Sequence, residues 1–129
     1  SQLPHTMTGY LPAAWQALPA MDLFVLPSLS EGMGLVLLEA AQARIPIIAS
    51  QVGGIPELFE NNSEALLTNP ADPLDLTLAC SRILEDQNLA KNLVVNAHEK
   101  AIMYTVEKMT ADTTEFYDFF IADTSSKAP

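Results

Sequence analysis

The sequence predicts an α/β fold: a partial Rossmann-like parallel sheet with flanking helices and a helical C-terminal tail. Residues 22–28 and 45–50 are short, continuous apolar runs, which is typical of strands buried on both faces of a parallel sheet. Residues 34–43, between them, are rich in the helix formers Leu, Ala, Glu and Gln. A strand, a helix and a strand within about 30 residues form a βαβ unit, whose strands run parallel.

Further elements are expected on both sides of this unit. Residues 6–10 are assigned to a short strand, and residues 11–18 to a helix with Pro12 in its first turn, where a missing N–H is tolerated. Downstream, a short helix is expected to start at Pro56, and residues 64–68 are expected to form a further strand.

The segment after residue 73 has the periodicity of three amphipathic helices. We expect a single domain over residues 1–122 and a flexible polar tail over residues 123–129. The three apolar stripes are Leu76, Ala79, Cys80, Ile83 and Leu84; Leu89, Leu93, Val94, Ala97 and Ala101; and Met109, Phe116, Phe119 and Phe120.

Composition and charge exclude several classes of protein. The 129 residues are 49% hydrophobic and 17% charged, as in a compact domain, and no apolar run approaches the roughly 18 residues of a membrane span. Because the first residues lack a signal peptide's basic start and apolar stretch, we expect a cytoplasmic protein, peripheral to a membrane at most. The net charge of −10 argues against nucleic acid as a partner and fits a solvated surface.

Two loops of small residues are expected at the carboxyl edge of the sheet, where open parallel sheets bind ligands. Residues 28–34 lead into one predicted helix, and residues 50–55, with Gly53 and Gly54, lead into the next. Unpaired N–H groups and the helix dipole at such ends favour an anion such as a diphosphate. Gly53 and Gly54 alone more often mark a tight turn, but two such loops at one edge favour binding.

Glu39 lies on the helix of residues 34–43, whose other side chains are apolar nearly all round. Such a helix is expected to be buried, and a buried carboxylate is costly unless it is paired. Because helical side chains point toward the N-terminus, Glu39 is placed to accept hydrogen bonds from ribose hydroxyls of a ligand held by the loop. A glutamate stabilised only by the helix dipole is the alternative. Glu31, in the loop, either faces the same space or is an exposed acid.

Other types of site find no support in the sequence. The loop at Gly32 has Leu37 where a dinucleotide fingerprint needs a glycine, and no Gly-rich loop ends in Lys-Ser or Lys-Thr. His5, His98 and Cys80 are too few and too scattered for a zinc site, and there is no Asp-X-Asp pair to hold a metal diphosphate. We therefore expect neither a metal nor a cofactor.

Residues 21–40 (MDLFVLPSLSEGMGLVLLEA) closely resemble the carboxyl-terminal domain of the family 4 (group 1) glycosyltransferases, one half of a GT-B architecture. Glu31 and Glu39 match the two acids of that family's E-x7-E motif, and residues 45–57 (IPIIASQVGGIPE) match the segment that follows it. The resemblance covers nearly the whole chain. The other matching segments are Thr8-Gly9-Tyr10, Asn69-Pro70 with Asp72-Pro73, and the helical tail.

The resemblance implies retaining, metal-independent transfer of a sugar from a nucleotide-diphosphate sugar to an acceptor. Glu31 would contact the donor sugar and is the catalytic candidate, whereas Glu39 would bind the ribose. In this family the donor's own phosphate assists deprotonation of the acceptor, so no protein nucleophile is needed. The phosphates or the hexose would meet the backbone amides of Gly32, Met33, Gly34 and Leu35.

The chain departs from the family at Arg44 and Ala65, where the family favours glycine. Relative to the family, it also lacks the first strands of the domain, with their basic Arg/Lys pair, and the N-terminal acceptor-binding domain. We therefore expect a fragment that is inactive alone and does not reveal its acceptor. Its open sheet edge predicts a homo-oligomer or strand exchange. The alternative function is a non-catalytic nucleotide-sugar-binding module or an assembly module.

Overall fold

The computed structural model describes residues 4–104, 108, 110–111 and 114–115. Its centre is a three-stranded parallel sheet in the order β1 (Phe24–Leu26), β2 (Ile47–Ser50) and β3 (Leu66–Thr68). Helix α1 follows β1 and α2 follows β2, so each of the first two strands leads directly into a helix. The predicted α/β class, with a parallel Rossmann-like sheet and flanking helices, is confirmed.

The helices lie where the sequence patterns place them. They are α1 (Leu35–Gln42), α2 (Ile55–Leu58), α3 (Pro73–Glu85) and α4 (Gln87–Ala101). Asp72 and Asp86 cap α3 and α4, because each carboxylate accepts hydrogen bonds from two backbone N–H groups of the following turn. No helix in the described part of the chain is long and apolar enough to cross a membrane.

The core has two parts, one on each face of β2. Ile47 and Ala49 pack with α1, α2 and the C-terminal half of α4, whereas Ile48, on the opposite face, packs with α3 and Leu93. Every residue of β2 is buried, because successive side chains of a strand point to opposite faces and helices cover both.

Strand β1 differs from the prediction of a strand buried on both faces over residues 22–28. It is only three residues long and each of them is half-buried. The reason is its position: β1 pairs with β2 on one side and forms the edge of the described sheet on the other.

The segment before β1 also differs from the prediction. Residues 6–10 form no strand and are exposed, and they do not pair with the open edge of β1. The predicted helix at 11–18 is a 3-10 helix over Ala14–Ala20, so Pro12 precedes it rather than opening its first turn. Leu18 anchors this helix as its buried residue.

The predicted stripes of α3 and α4 are largely confirmed. Ala79 and Ile83 of α3 are buried, but Leu84 is 64% exposed and does not belong to the stripe. The third predicted helix, with Met109, Phe116, Phe119 and Phe120, and the predicted tail at 123–129 lie outside the described residues.

Candidate functional site

The loop between β1 and α1 ends at Gly34, which caps the helix with φ of +67°. This left-handed conformation suits glycine, and a Cβ at Gly34 would lie 3.2 Å from Cδ1 of Leu37. The start of α1 leaves several backbone N–H groups unpaired. Leu37 N–H donates to Gly34 O at 2.8 Å, but among the described residues nothing accepts from the amides of residues 33–36. An anion is the natural ligand for such a group of amides.

The carboxylate of Glu31 folds back onto this loop. It accepts hydrogen bonds from the Ser28 hydroxyl and from Gly32 N–H, both at 3.3 Å, and the residue is half-buried. Glu31 is therefore not simply an exposed acid, since its carboxylate already accepts a hydrogen bond from the amide of Gly32. Sequence reasoning missed Ser28, although a hydroxyl three residues before a loop acid is a common turn partner.

The second loop packs directly against the first. Gly54 N–H donates to Gly32 O at 2.7 Å, and a Cβ at Gly53 would lie 1.8 Å from Glu31 O. Gly53 also has φ of +55°, so both space and backbone conformation require glycine there. The two loops thus meet at one edge of the sheet, as predicted.

The second loop offers fewer free amides than the sequence suggested, because only Gly53 N–H lacks an acceptor among the described residues. Gly54 N–H is used by Gly32, and Ile55 N–H donates to Val52 O at 3.2 Å. The helix that follows is a single turn, Ile55–Leu58. This loop therefore supports the first loop, and a direct part of Gly53 and Gly54 in ligand binding stays a prediction.

A cavity of about 400 Å³ opens beside the two loops, within the range of small-molecule sites. Glycine backbone from both loops forms one side of it. Sequence reasoning missed the other side, because its residues come from α2 and from the segment after α4, far apart in the chain. The lining residues are Gly32, Met33, Gly54, Glu57, Leu58 and Tyr104.

Glu39 is exposed, so the expectation of a carboxylate on a buried helix is wrong. Helix α1 buries one face against the core and turns the other outward, with Leu35, Glu39 and Gln42 exposed at helical spacings of four and three. The argument that an unpaired buried charge demands a ligand therefore fails. No described residue pairs with the Glu39 carboxylate, which lines a second recess beside the 3-10 helix.

The described histidine and arginine near α1 have structural roles. His98, half-buried on α4, contacts Ala41 O through Nδ1 at 3.3 Å and Arg44 Nη2 through Nε2 at 3.1 Å. Arg44 has φ of +60° just after α1, at the position where the resemblance favours glycine. Among the described residues, no group of three or more His, Cys, Asp or Glu side chains could hold a metal ion.

Known proteins are similar to this chain in sequence and in fold. Sulfoquinovosyl transferase of Arabidopsis thaliana is 34% identical over 107 residues, which is 79% of this chain and 21% of that protein. Sucrose-phosphate synthase of Thermosynechococcus elongatus superposes with a TM-score of 0.73 at 32% identity, over 82% of this chain and 27% of the other.

Anabaena HepE, crystallised in complex with UDP-glucose, superposes with a TM-score of 0.69 at 27% identity, over 88% of this chain and 29% of the other. The chain thus spans less than a third of the length of each of these proteins. Its own fold is part of the GT-B architecture that such neighbours have. Residues 4–100 match the family of glycosyl transferases group 1, and the chain belongs to that family.

Proposed function

We propose that this chain forms part of the donor site of a cytoplasmic, retaining glycosyltransferase of family 4. The whole protein would transfer a sugar from a nucleotide-diphosphate sugar to an acceptor. The observation that carries this proposal is the group of amides at residues 33–36, at the start of α1 and beside Glu31, which have no acceptor in the described part of the chain. Similarity to proteins named as sugar transferases, and to one crystallised with UDP-glucose, supports it.

The amides at the start of α1 would bind the donor's phosphates. Together with the helix dipole they form an anion site that needs no side-chain charge. Neither residues 27–34 nor residues 51–54 contain Lys or Arg, so any cationic side chain that neutralises the diphosphate must come from elsewhere. The resemblance places such a basic pair on the strands that precede this segment in the family.

Glu31 would exchange its present hydrogen bonds for bonds to the donor sugar. Its carboxylate now accepts from the Ser28 hydroxyl and Gly32 N–H, so a sugar hydroxyl could replace either donor at little energetic cost. Glu39, exposed and without a partner among the described residues, would accept hydrogen bonds from the ribose hydroxyls. Transfer would proceed without a metal or a protein nucleophile, following the resemblance.

Removing one amide of the phosphate site tests the proposal. Val36 is the second residue of α1, and α2 already carries Pro56 at the same position. Val36→Pro therefore deletes a free N–H while remaining compatible with the first turn. We expect a loss of about 1.5 to 3 kcal/mol in the affinity for a nucleotide diphosphate, the range for a bond to a charged group.

Titration calorimetry with UDP, GDP and ADP and their sugars would measure this loss, in this chain and in the full-length gene product. Val36→Ala is the matched control, because it removes the side chain and keeps the amide. Equal affinity of both variants for the best ligand would contradict the phosphate site. Binding without sugar transfer by the full-length product would favour a non-catalytic module, which the names of the relatives do not favour.

The fragment would be inactive alone and would associate through its open edge. β1 has a neighbour on one side only within the described sheet, which leaves a row of backbone groups for another strand. We therefore propose a homo-oligomer or strand exchange for this chain. Light scattering over a range of concentrations would measure it, and a monodisperse monomer throughout would contradict it.

A further inference from the structure

Ser28 contacts the carboxylate of Glu31 from the end of strand β1. The strand ends at Leu26, and Pro27, whose ring fixes φ, leads the chain directly to Ser28. The Ser28 hydroxyl donates to Oε2 of Glu31 at 3.3 Å, and both residues are half-buried. The hydroxyl is the donor, because an ionised carboxylate only accepts hydrogen bonds. One oxygen of Glu31 is thus tied to the end of a strand.

The other oxygen of the same carboxylate has a different kind of partner. Oε1 of Glu31 accepts from Gly32 N–H at 3.3 Å, a bond between neighbouring residues in the exposed part of the loop. In the chain, Gly32 N–H directly precedes the free amides of residues 33–36. A ligand group that takes the place of Gly32 N–H at Oε1 therefore releases one more amide beside the others.

The backbone of Glu31 is already fixed by the second loop. A Cβ at Gly53 would lie 1.8 Å from Glu31 O, so the two backbones are in direct contact. Gly54 N–H donates to Gly32 O at 2.7 Å, which holds the next residue as well. Only the side chain of Glu31 is left to be ordered, and glutamate loses much rotamer entropy when it is fixed. Because Ser28 orders this side chain in advance, a ligand does not have to do so.

We propose that Ser28 is a positioning residue for Glu31. It keeps Oε2 in place while Oε1 turns from Gly32 N–H to a hydroxyl of the donor sugar. The released N–H then joins the amides of residues 33–36 at the phosphates. This inference rests on the proposed donor site, narrows the exchange at Glu31 to one of its two bonds, and assigns to Ser28 part of the affinity that comes from the sugar.

The sugar and the free nucleotide should depend on Ser28 to different degrees. A nucleoside diphosphate without a sugar leaves Oε1 of Glu31 on Gly32 N–H, so its affinity does not require Ser28. A nucleotide sugar requires the carboxylate in its place. The ratio of the two affinities therefore reports on Ser28, whereas general damage to the loop would weaken both ligands alike.

Titration calorimetry on the full-length gene product measures this ratio. UDP, GDP and ADP are compared with UDP-glucose, GDP-mannose and ADP-glucose, and the pair that binds best is used for the variants. Ser28→Ala should bind the free nucleotide like the parent protein and the nucleotide sugar about 2-fold to 12-fold more weakly, the range for one hydrogen bond. Ser30→Ala, an exposed serine of the same loop without a described side-chain partner, is the matched control.

A double-mutant cycle with Glu31→Ala tests whether Ser28 acts through Glu31. Without the carboxylate, Ser28→Ala should have no further effect on the affinity for the nucleotide sugar. Ser28→Thr, which keeps a hydroxyl, should retain most of the affinity of the parent protein. Circular dichroism verifies that all variants fold.

The outcomes distinguish this inference from the proposed function. Equal affinity of Ser28→Ala and the parent protein for the nucleotide sugar overturns the positioning role and leaves the donor site intact. An equal loss for both ligands, or a full further loss in the Glu31→Ala background, also overturns it, because Ser28 would then act on the loop as a whole. Failure of the parent protein to bind any of the nucleotides overturns the donor site and the positioning role together.

Discussion

The two glycine loops at the carboxyl edge of the sheet look alike in sequence and differ in what their backbones do. In the first, Gly34 turns the chain into α1 and the following amides have no acceptor among the described residues. In the second, Gly54 donates its N–H to the first loop and Gly53 makes room for a carbonyl. The first loop leaves its donors without a described acceptor, and the second loop uses Gly54 N–H to hold the first loop in place.

The largest effect should come from the supporting loop. Gly53→Ala places a Cβ 1.8 Å from Glu31 O, on backbone that cannot move aside cheaply, at φ of +55°. Overpacking and left-handed backbone strain together should lower the free energy of unfolding by about 3 to 5 kcal/mol. Urea unfolding would measure the loss.

Gly32→Ala is the matched control for this substitution, because a Cβ there meets nothing within 4 Å. We expect this control to change stability little. If the two variants unfolded at the same urea concentration, the loops would not be packed as described, and the contrast between them would fail.

The next largest effect should fall on the ligand rather than on the fold. With the proposed role of Glu39 at the ribose, Glu39→Gln should weaken nucleotide affinity in the full-length protein by about 1 to 3 kcal/mol, the range for a charged hydrogen bond. Because Glu39 is exposed and no described residue pairs with it, the melting temperature of the Glu39→Gln variant should equal that of the parent protein. Titration calorimetry would measure the nucleotide affinity, and thermal unfolding the melting temperature, of the variant and of the parent protein.

Glu60→Gln, which neutralises another exposed acid, is the control for net charge. Unchanged nucleotide affinity in Glu39→Gln, together with a lower melting temperature, would favour a purely structural glutamate. That outcome would leave the amides of α1 and Glu31 as the proposed donor site.

Gly34→Ala should have a smaller effect on folding than Gly53→Ala. Its φ of +67° is as unfavourable for alanine, but the nearest atom to a new Cβ is the Leu37 side chain at 3.2 Å, which can shift. We expect a loss of about 1 to 2 kcal/mol in stability, the strain of one left-handed residue. Gly9→Ala meets the same left-handed strain at φ of +61°, but its exposed segment can change its backbone conformation without losing packing, so the loss should be smaller than at Gly34.

The sequence predicts a feature of this structure where a local run of residues determines it, and fails where the feature depends on residues far away in the chain. β2 could be predicted because a short continuous run of apolar and small residues is typical of a strand buried on both faces of a parallel sheet. The exposure of Glu39 could not, because a helix with apolar residues nearly all round gives no sign of which face lacks a cover. The need for glycine at Gly53 depends on a carbonyl 22 residues earlier, at Glu31, which no local pattern reveals.

The smallest effect is expected at Arg44, which adopts the left-handed conformation of the loop glycines without being one. Arg44→Gly should relieve about 1 kcal/mol of backbone strain and lose the exposed hydrogen bond to His98, about 0.5 to 1.5 kcal/mol, so its net change should be close to zero. In a His98→Ala background that bond is already absent, so the same substitution should raise the stability by about 1 kcal/mol. A double-mutant cycle by urea unfolding measures the difference. An identical effect of Arg44→Gly in both backgrounds would mean that the contact with His98 contributes nothing to stability. The left-handed conformation of Arg44 would then be held by the turn after α1 alone.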